Sequence, residues 1–129
     1  MKKLAVQFYE GGYNCSQCIV KAFETKYHYP VPKEVYDSLN GVNNGFGIGG
    51  FCSGLVAGIM IFGLLFDQDT AKRLRIELLM RFQNEFGNVN CSALGKYKTG
   101  YSNCNAIIAG IACIVEDIIQ GEKACCCFQ

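Results

Sequence analysis

Apolar residues along this chain recur three and four positions apart, and no stretch alternates in the way a half-buried strand requires. The spacing predicts a helix from Asn14 to about Tyr27, with Cys18, Ala22 and Phe23 inward and Lys21, Glu24 and Lys26 outward. His28 to Pro32 ends it, because residues before proline avoid helical geometry. A short helix over Lys33 to Leu39 precedes a glycine-rich turn, Gly41 to Gly50. Cys52 to Phe66, apolar all round, reads as a buried helix.

Asp69-Thr70 is expected to cap the most amphipathic helix, whose stripe is Leu74, Leu78, Phe82 and Phe86. Arg73, Glu77 and Arg81 stand at i,i+4 spacing for surface pairing, and Gly87 stops the helix. A brief helix at Cys91 to Leu94 leads into a loop, Gly95 to Gly100. The last helix is expected from Ser102 to Gln120, carrying Ile107, Ile108, Ile111, Ile114, Val115, Ile118 and Ile119, with Gly121 as its stop. The pattern gives an all-α, single-domain helical bundle of about five to six helices around one buried, glycine-rich helix. Residues 1–121 form the cysteine-rich domain and 122–129 a cysteine-rich tail.

Charge narrows the function classes. Twelve Lys and Arg against eleven Asp and Glu are spread without a basic stripe, so nucleic-acid binding is not expected. No charge lies between Ser38 and Phe66, and Gly50, Gly54 and Gly58 repeat the small-xxx-small spacing of membrane helices. This raises a membrane or helix-packing protein as one class. The first half of that stretch is too glycine-rich for a helix, and about Cys52 to Phe66 is too short to span a bilayer. A buried helix of a soluble bundle is the better reading.

The nine cysteines carry most of the chemical information. The first residues hold a basic pair but no apolar run like that of a signal peptide, so a cytoplasmic, reducing location is expected. There, clustered cysteines serve metal binding or redox chemistry more often than structural pairing. Asn14-Cys15-Ser16, Asn90-Cys91-Ser92 and Asn103-Cys104-Asn105 share a local sequence, each at an expected helix start. Asn is a favoured N-cap, and a thiol just after it lies where amide donors and the helix dipole favour the thiolate. Cys52, entering the buried helix from a glycine run, is expected to share this placement.

Other motifs are weaker. Cys15-Ser16-Gln17-Cys18 is a C-x-x-C that puts Cys18 on the same helix face as Cys15, either as a partner, a metal ligand or a core residue. Gly45 to Gly50 fits G-x-G-x-x-G but lacks the strand before it, so its expected role is close backbone approach rather than nucleotide binding. Cys113 lies nine residues, about 900° of helix rotation, beyond Cys104 and is expected in the core on the opposite face. His28, the single histidine, is expected at the surface. Cys125, Cys126 and Cys127 are either a thiol shuttle that reaches the main site, a metal-binding tail or a tolerated chain end.

With Cys15, Cys52, Cys91 and Cys104 in view, the chain resembles the C_GCAxxG_C_C family of putative redox-active proteins. The likeness rests on the Tyr13-Asn14-Cys15-Ser16-Gln17 opening, the glycine-rich run into Cys52, and Cys91 and Cys104 before a final helix. It implies a helical domain with these four motif cysteines and a redox or metal-linked role. The central signature departs from the family: Phe51 precedes Cys52, Ser53 follows it, and the glycines are Gly54 and Gly58.

Two uses of Cys15, Cys52, Cys91 and Cys104 stay open. As a thiol–disulfide oxidoreductase or electron carrier, Cys15 or Cys52 would attack the disulfide of a thiol or electron-transfer partner and a second cysteine would resolve it. As a binding module, the four thiolates, with Cys18 as a lesser candidate, would hold an iron–sulfur cluster or zinc. An apolar helix face makes a homodimer compatible with either.

Overall fold

A computed structural model describes residues 1–97 and 104–125 of the chain. Six α-helices follow one another among the described residues: α1 (Lys2–Glu10), α2 (Gln17–Tyr27), α3 (Lys33–Ser38), α4 (Ser53–Leu65), α5 (Gln68–Phe86) and α6 (Asn105–Cys125). A 3-10 helix spans Cys91–Tyr97, and the described residues contain no strand beyond an isolated antiparallel bridge between Phe51 and Asn90. The all-α fold expected from the spacing is the observed one.

α4 sits at the centre, packed on α2, α5 and α6, while α1 closes the far side against α2 and α6. Glycine makes that central position possible. A Cβ on Gly58 would come within 2.9 Å of Leu78 on α5 and 3.0 Å of Val115 on α6. A Cβ on Gly54 would meet Ile111 of α6 at 2.6 Å. The small-residue spacing therefore serves helix packing inside the bundle. Among the described residues no helix is long and apolar enough to cross a membrane.

The core residues match the periodicity. Leu74, Leu78, Phe82 and Phe86 of α5 are buried, as are Ile107, Ile108, Ile111, Ile114, Val115, Ile118 and Ile119 of α6. Glu24 fastens the α2–α3 corner: it accepts from the Val31 N–H at 2.8 Å and the Tyr36 hydroxyl at 2.7 Å, and pairs with Lys21 at 3.0 Å. Burial pushes its carboxyl up, but these donors together hold it below the usual value.

Several expectations are corrected. α1 had no counterpart in the expected elements, although Ala5 is fully buried. The cap of α5 is Asp67, whose carboxylate accepts the Thr70 N–H at 3.3 Å, rather than Asp69-Thr70. Arg73 reaches across to Glu122 on α6 at 2.6 Å, and Arg81 divides between Glu77 on its own helix and Asp117 on α6. Gly121 does not stop α6, which continues to Cys125. An isolated glycine in a helix costs only about 1 kcal/mol, which cross-helix pairing can offset. Cys113 is exposed: it does lie opposite the buried Cys104, but that side of α6 faces out. His28 is exposed as expected, in a left-handed conformation that ends α2. The expected loop beyond Tyr97, Ser102, Asn103 and residues 126–129 lie outside the described residues.

Candidate functional site

Each of the four motif cysteines stands at the start of a helix, by a different local device. Asn14 builds the first. Its Oδ1 accepts the backbone N–H of Ser16 (3.0 Å) and Gln17 (2.9 Å) and the Ser16 hydroxyl (2.6 Å), while its Nδ2 donates to the Leu39 carbonyl (3.0 Å). This is the side-chain bonding expected of Asn ahead of a helix, and it fixes Cys15 in the turn that leads into α2. Cys104 immediately precedes α6, and its carbonyl accepts the Ile108 N–H at 2.9 Å.

Cys52 and Cys91 are placed together by backbone. Around the Phe51–Asn90 bridge, the Cys52 N–H donates to the Val89 carbonyl at 2.8 Å and the Cys91 N–H to the Gly50 carbonyl at 2.6 Å. Here Asn90 gives its backbone carbonyl to Ala93, and the preceding Asn88 side chain accepts the Asn90 N–H. The Asn90-Cys91 pair thus reaches a helix start without the Asn90 side-chain cap that its sequence suggested.

The glycine run makes this approach possible. Asn44, Gly45, Phe46, Gly47 and Gly49 all have positive φ, folding the segment back until the Gly50 N–H donates to the Gly45 carbonyl at 2.9 Å. At Gly45 (φ 61°) a Cβ would lie 2.4 Å from the Gly50 nitrogen and 2.9 Å from the Cys91 Cβ. The G-x-G-x-x-G pattern serves backbone approach, as its context suggested. It leaves Phe46 and Ile48 exposed.

Cys15, Cys52, Cys91 and Cys104 line one cavity of about 20 Å³, with Asn44, Ser53 and an apolar floor that includes Leu94, Ile107 and Ile111. That volume admits about one water-sized occupant. The four are not equivalent. Cys15 and Cys91 are half-buried, Cys52 and Cys104 buried. Burial pushes the Cys52 thiol up to about 11, against the Leu55 and Gly54 amides, which draw it down; charge on Cys15 or Cys91 would raise it further. The helix start alone was expected to favour the Cys52 thiolate. Desolvation outweighs it.

Two hydroxyls that the sequence did not single out touch the set. Ser53 Oγ lies 3.1 Å from the Cys15 sulfur. Tyr9 of α1 accepts the Cys104 N–H at 3.4 Å, and its phenol is pushed up to about 12, first by burial and then by Cys104. Ser53 was visible only as a departure from the family signature, and Tyr9 carried no signal because α1 itself was missed.

Cys18 does not belong to the cavity. It is fully buried, its thiol donates to the Cys15 carbonyl at 3.4 Å, and burial followed by the Cys15 charge pushes it far up. Cys125 ends a helix of 21 residues, about 31 Å long at 1.5 Å per residue. Cys126 and Cys127, with the expected role of the tail, lie outside the described residues.

The thiol donor set suits Zn²⁺ or an iron–sulfur cluster by chemistry. As the side chains stand, no three Cys, His, Asp or Glu among the described residues are grouped to hold a metal ion. The cavity is also far smaller than a four-iron cluster. The arrangement present gathers four cysteines, two half-buried and two buried, around a common space.

No curated protein and no solved structure matches the chain. A family model does, over residues 13–118, from just before Cys15 to near the end of α6, and its description is "Putative redox-active protein (C_GCAxxG_C_C)". The matched span contains all four cavity cysteines and most of the helical bundle that positions them, and on that match the chain belongs to the C_GCAxxG_C_C family.

Proposed function

We propose that the protein is a thiol–disulfide exchange protein in which Cys15 is the attacking thiol and Cys52 the resolving one. The observation that carries this reading is the gathering of four helix-start cysteines on one cavity, graded from half-buried to buried. A half-buried thiol is reachable by a partner disulfide, as an attacking thiol must be. Cys52 lies in the field of Cys15 and of Cys91. Held protonated until needed, it is a poor first attacker. Once a substrate is attached to Cys15, proximity lets it act despite a high thiol pKa.

The steps balance as ordinary exchange. The Cys15 thiolate attacks one sulfur of a partner disulfide, forming a mixed disulfide and releasing the partner's other sulfur as a thiolate that takes a proton. Cys52, giving up its proton, then attacks the Cys15 sulfur and releases the second partner thiol. The partner disulfide is reduced by two electrons, and a Cys15–Cys52 disulfide forms. The exposed Phe46 and Ile48, in a segment without charge near the cavity, suit a partner whose disulfide lies in an apolar stretch.

Single-turnover reaction of the reduced protein with a chromogenic aromatic disulfide tests the assignment. Cys15→Ser is expected to remove the fast phase, and Cys52→Ser to halt the reaction at the mixed disulfide on Cys15. A fast phase that survives Cys15→Ser would overturn it. The second reading, thiolate ligation of zinc or an iron–sulfur cluster, draws on the same convergence of four sulfurs on one cavity. It requires the side chains to close further around a zinc ion, or to open to admit a cluster. Stoichiometric metal or acid-labile sulfide after anaerobic purification is its test.

A further inference from the structure

The backbone at the Phe51–Asn90 bridge has two faces. Cys52 has extended backbone, and side chains alternate along such a segment. Cys52 lines the cysteine cavity, while Phe51 lines a groove on the other side with Leu79, Met80, Gln83, Asn84 and Val89. We propose that this groove is the subsite for a polypeptide substrate, where an extended, uncharged apolar segment lies while the disulfide it flanks is reduced at the cavity. The inference rests on the proposed exchange at Cys15 and names its substrate class as a protein disulfide.

Size separates the two sides. The groove holds about 380 Å³ and the cavity about 20 Å³, so substrate side chains fit in the first and not in the second. Charge points to the kind of segment. α5 carries Arg73, Glu77 and Arg81 on other sides, but the residues it turns to the groove are Leu79, Met80, Gln83 and Asn84. An ionic ligand such as glutathione disulfide finds no ion-pair partner there, whereas an apolar segment sheds water without stranding a charge. The amides point to a polypeptide. Gln83 and Asn84 are exposed, and among the described residues their side chains make no hydrogen bond. A carboxamide donates and accepts, so it can pair with the N–H and C=O of an extended backbone, groups that a lipid chain lacks. Met80, 62% exposed beside them, is the adaptable apolar contact that varied sequences need.

The groove is also within reach of the cysteines. Phe51 directly precedes Cys52, and the Val89 carbonyl accepts the Cys52 N–H at 2.8 Å. Two side-chain layers across such a segment span roughly 10 Å, which about three extended residues cover. A path over the bridge is apolar as well: a Cβ on Gly50 would lie 3.8 Å from both Phe46 and Ile48, which are exposed.

Two synthetic peptides test the inference, both capped, uncharged and built of Val, Leu, Phe and Ser. One carries an intramolecular disulfide; in the other, serine replaces both cysteines. The second cannot exchange, so its binding, read by fluorescence anisotropy, reports the groove alone. Met80→Glu puts a carboxylate where the free protein keeps it hydrated and a bound peptide would cover it. It is expected to weaken binding about tenfold or more. Ile76→Glu, one turn away on α5, 50% exposed and outside the groove, should bind as the wild type does. With the disulfide peptide, Met80→Glu should lower kcat/KM by the same factor through KM. Undiminished binding by Met80→Glu, or equal weakening by Ile76→Glu, would overturn the inference. So would a wild-type dimer that Met80→Glu dissociates in sedimentation, which gives the groove to a second copy, or phosphatidylcholine vesicles that bind the wild type and not Met80→Glu, which gives it to lipid. If binding of the serine peptide depends on Met80 while Cys15→Ser still reduces the disulfide peptide, the groove stands and the proposed role of Cys15 falls.

Discussion

Replacing Gly45 by alanine should cost far more than the same replacement two residues on. Both positions are left-handed, at φ 61° for Gly45 and φ 79° for Gly47. An L-residue in that region costs about 1–2 kcal/mol, and this applies equally to both. The surroundings differ. A Cβ on Gly47 meets nothing within 4 Å, whereas one on Gly45 lies 2.4 Å from the Gly50 nitrogen, 2.6 Å from the Gly50 oxygen and 2.9 Å from the Cys91 Cβ. Two of those atoms are backbone and cannot swing aside as a side-chain tip would. Overpacking of this kind adds about 1–3 kcal/mol. Gly47→Ala is therefore expected to lose about 1–2 kcal/mol and Gly45→Ala about 2–5 kcal/mol. Because the Gly50 carbonyl holds the Cys91 N–H, the shift needed at Gly45 must also move Cys91. Urea unfolding measures the first effect, and the rate of Cys91 alkylation in the folded state the second. Equal destabilisation by the two variants would refute the argument. So would an unchanged Cys91 rate in Gly45→Ala.

Three further outcomes follow from other parts of the structure. Cys52 keeps its proton more tightly folded than unfolded, so its contribution is full below pH 9.0 and is lost as pH rises through about 11; the two units amount to roughly 3 kcal/mol. Cys52→Ala should flatten the fall in urea midpoint over that interval, and an identical alkaline slope would contradict it. Asp67→Ala should cost about 0.5–2 kcal/mol as a lost cap, while Asp69→Ala, without that hydrogen bond, should lie well below it by thermal unfolding. Asn14→Ala removes the α2 cap together with the tie to the Leu39 carbonyl, and should cost at least about 1–2 kcal/mol and broaden the Cys15 amide and Cβ signals in NMR spectra.

The helical bundle was legible because its signal is local. Leu74, Leu78, Phe82 and Phe86 repeat at helical spacing, and burial followed the repeat. Asn14 likewise announced a cap that the fold uses. The misreadings came where two local signals compete or where a distant contact decides. Asp67 and Asp69 are both plausible caps in sequence, and only backbone geometry selects the first. Gly121 looked like a stop, yet the helix runs on beside the Arg73–Glu122 pair. The shared helix-start placement of Cys15, Cys52, Cys91 and Cys104 was visible, but their unequal burial was not. For Cys52 that burial reverses the effect expected from the helix terminus. Ser53 and Tyr9 reach the cysteines from 38 and 95 residues away in sequence, and no local pattern encodes contacts of that range.

Disulfide mapping tests the central claim most directly. The fully reduced protein is equilibrated with a glutathione couple of increasing oxidising poise, quenched with acid, alkylated and digested for mass spectrometry. The account predicts that the first intramolecular disulfide joins Cys15 to Cys52, while Cys18 and Cys113 remain thiols. A first disulfide through Cys18 or Cys113, or cavity cysteines that stay reduced where Cys113 is already glutathionylated, would contradict it.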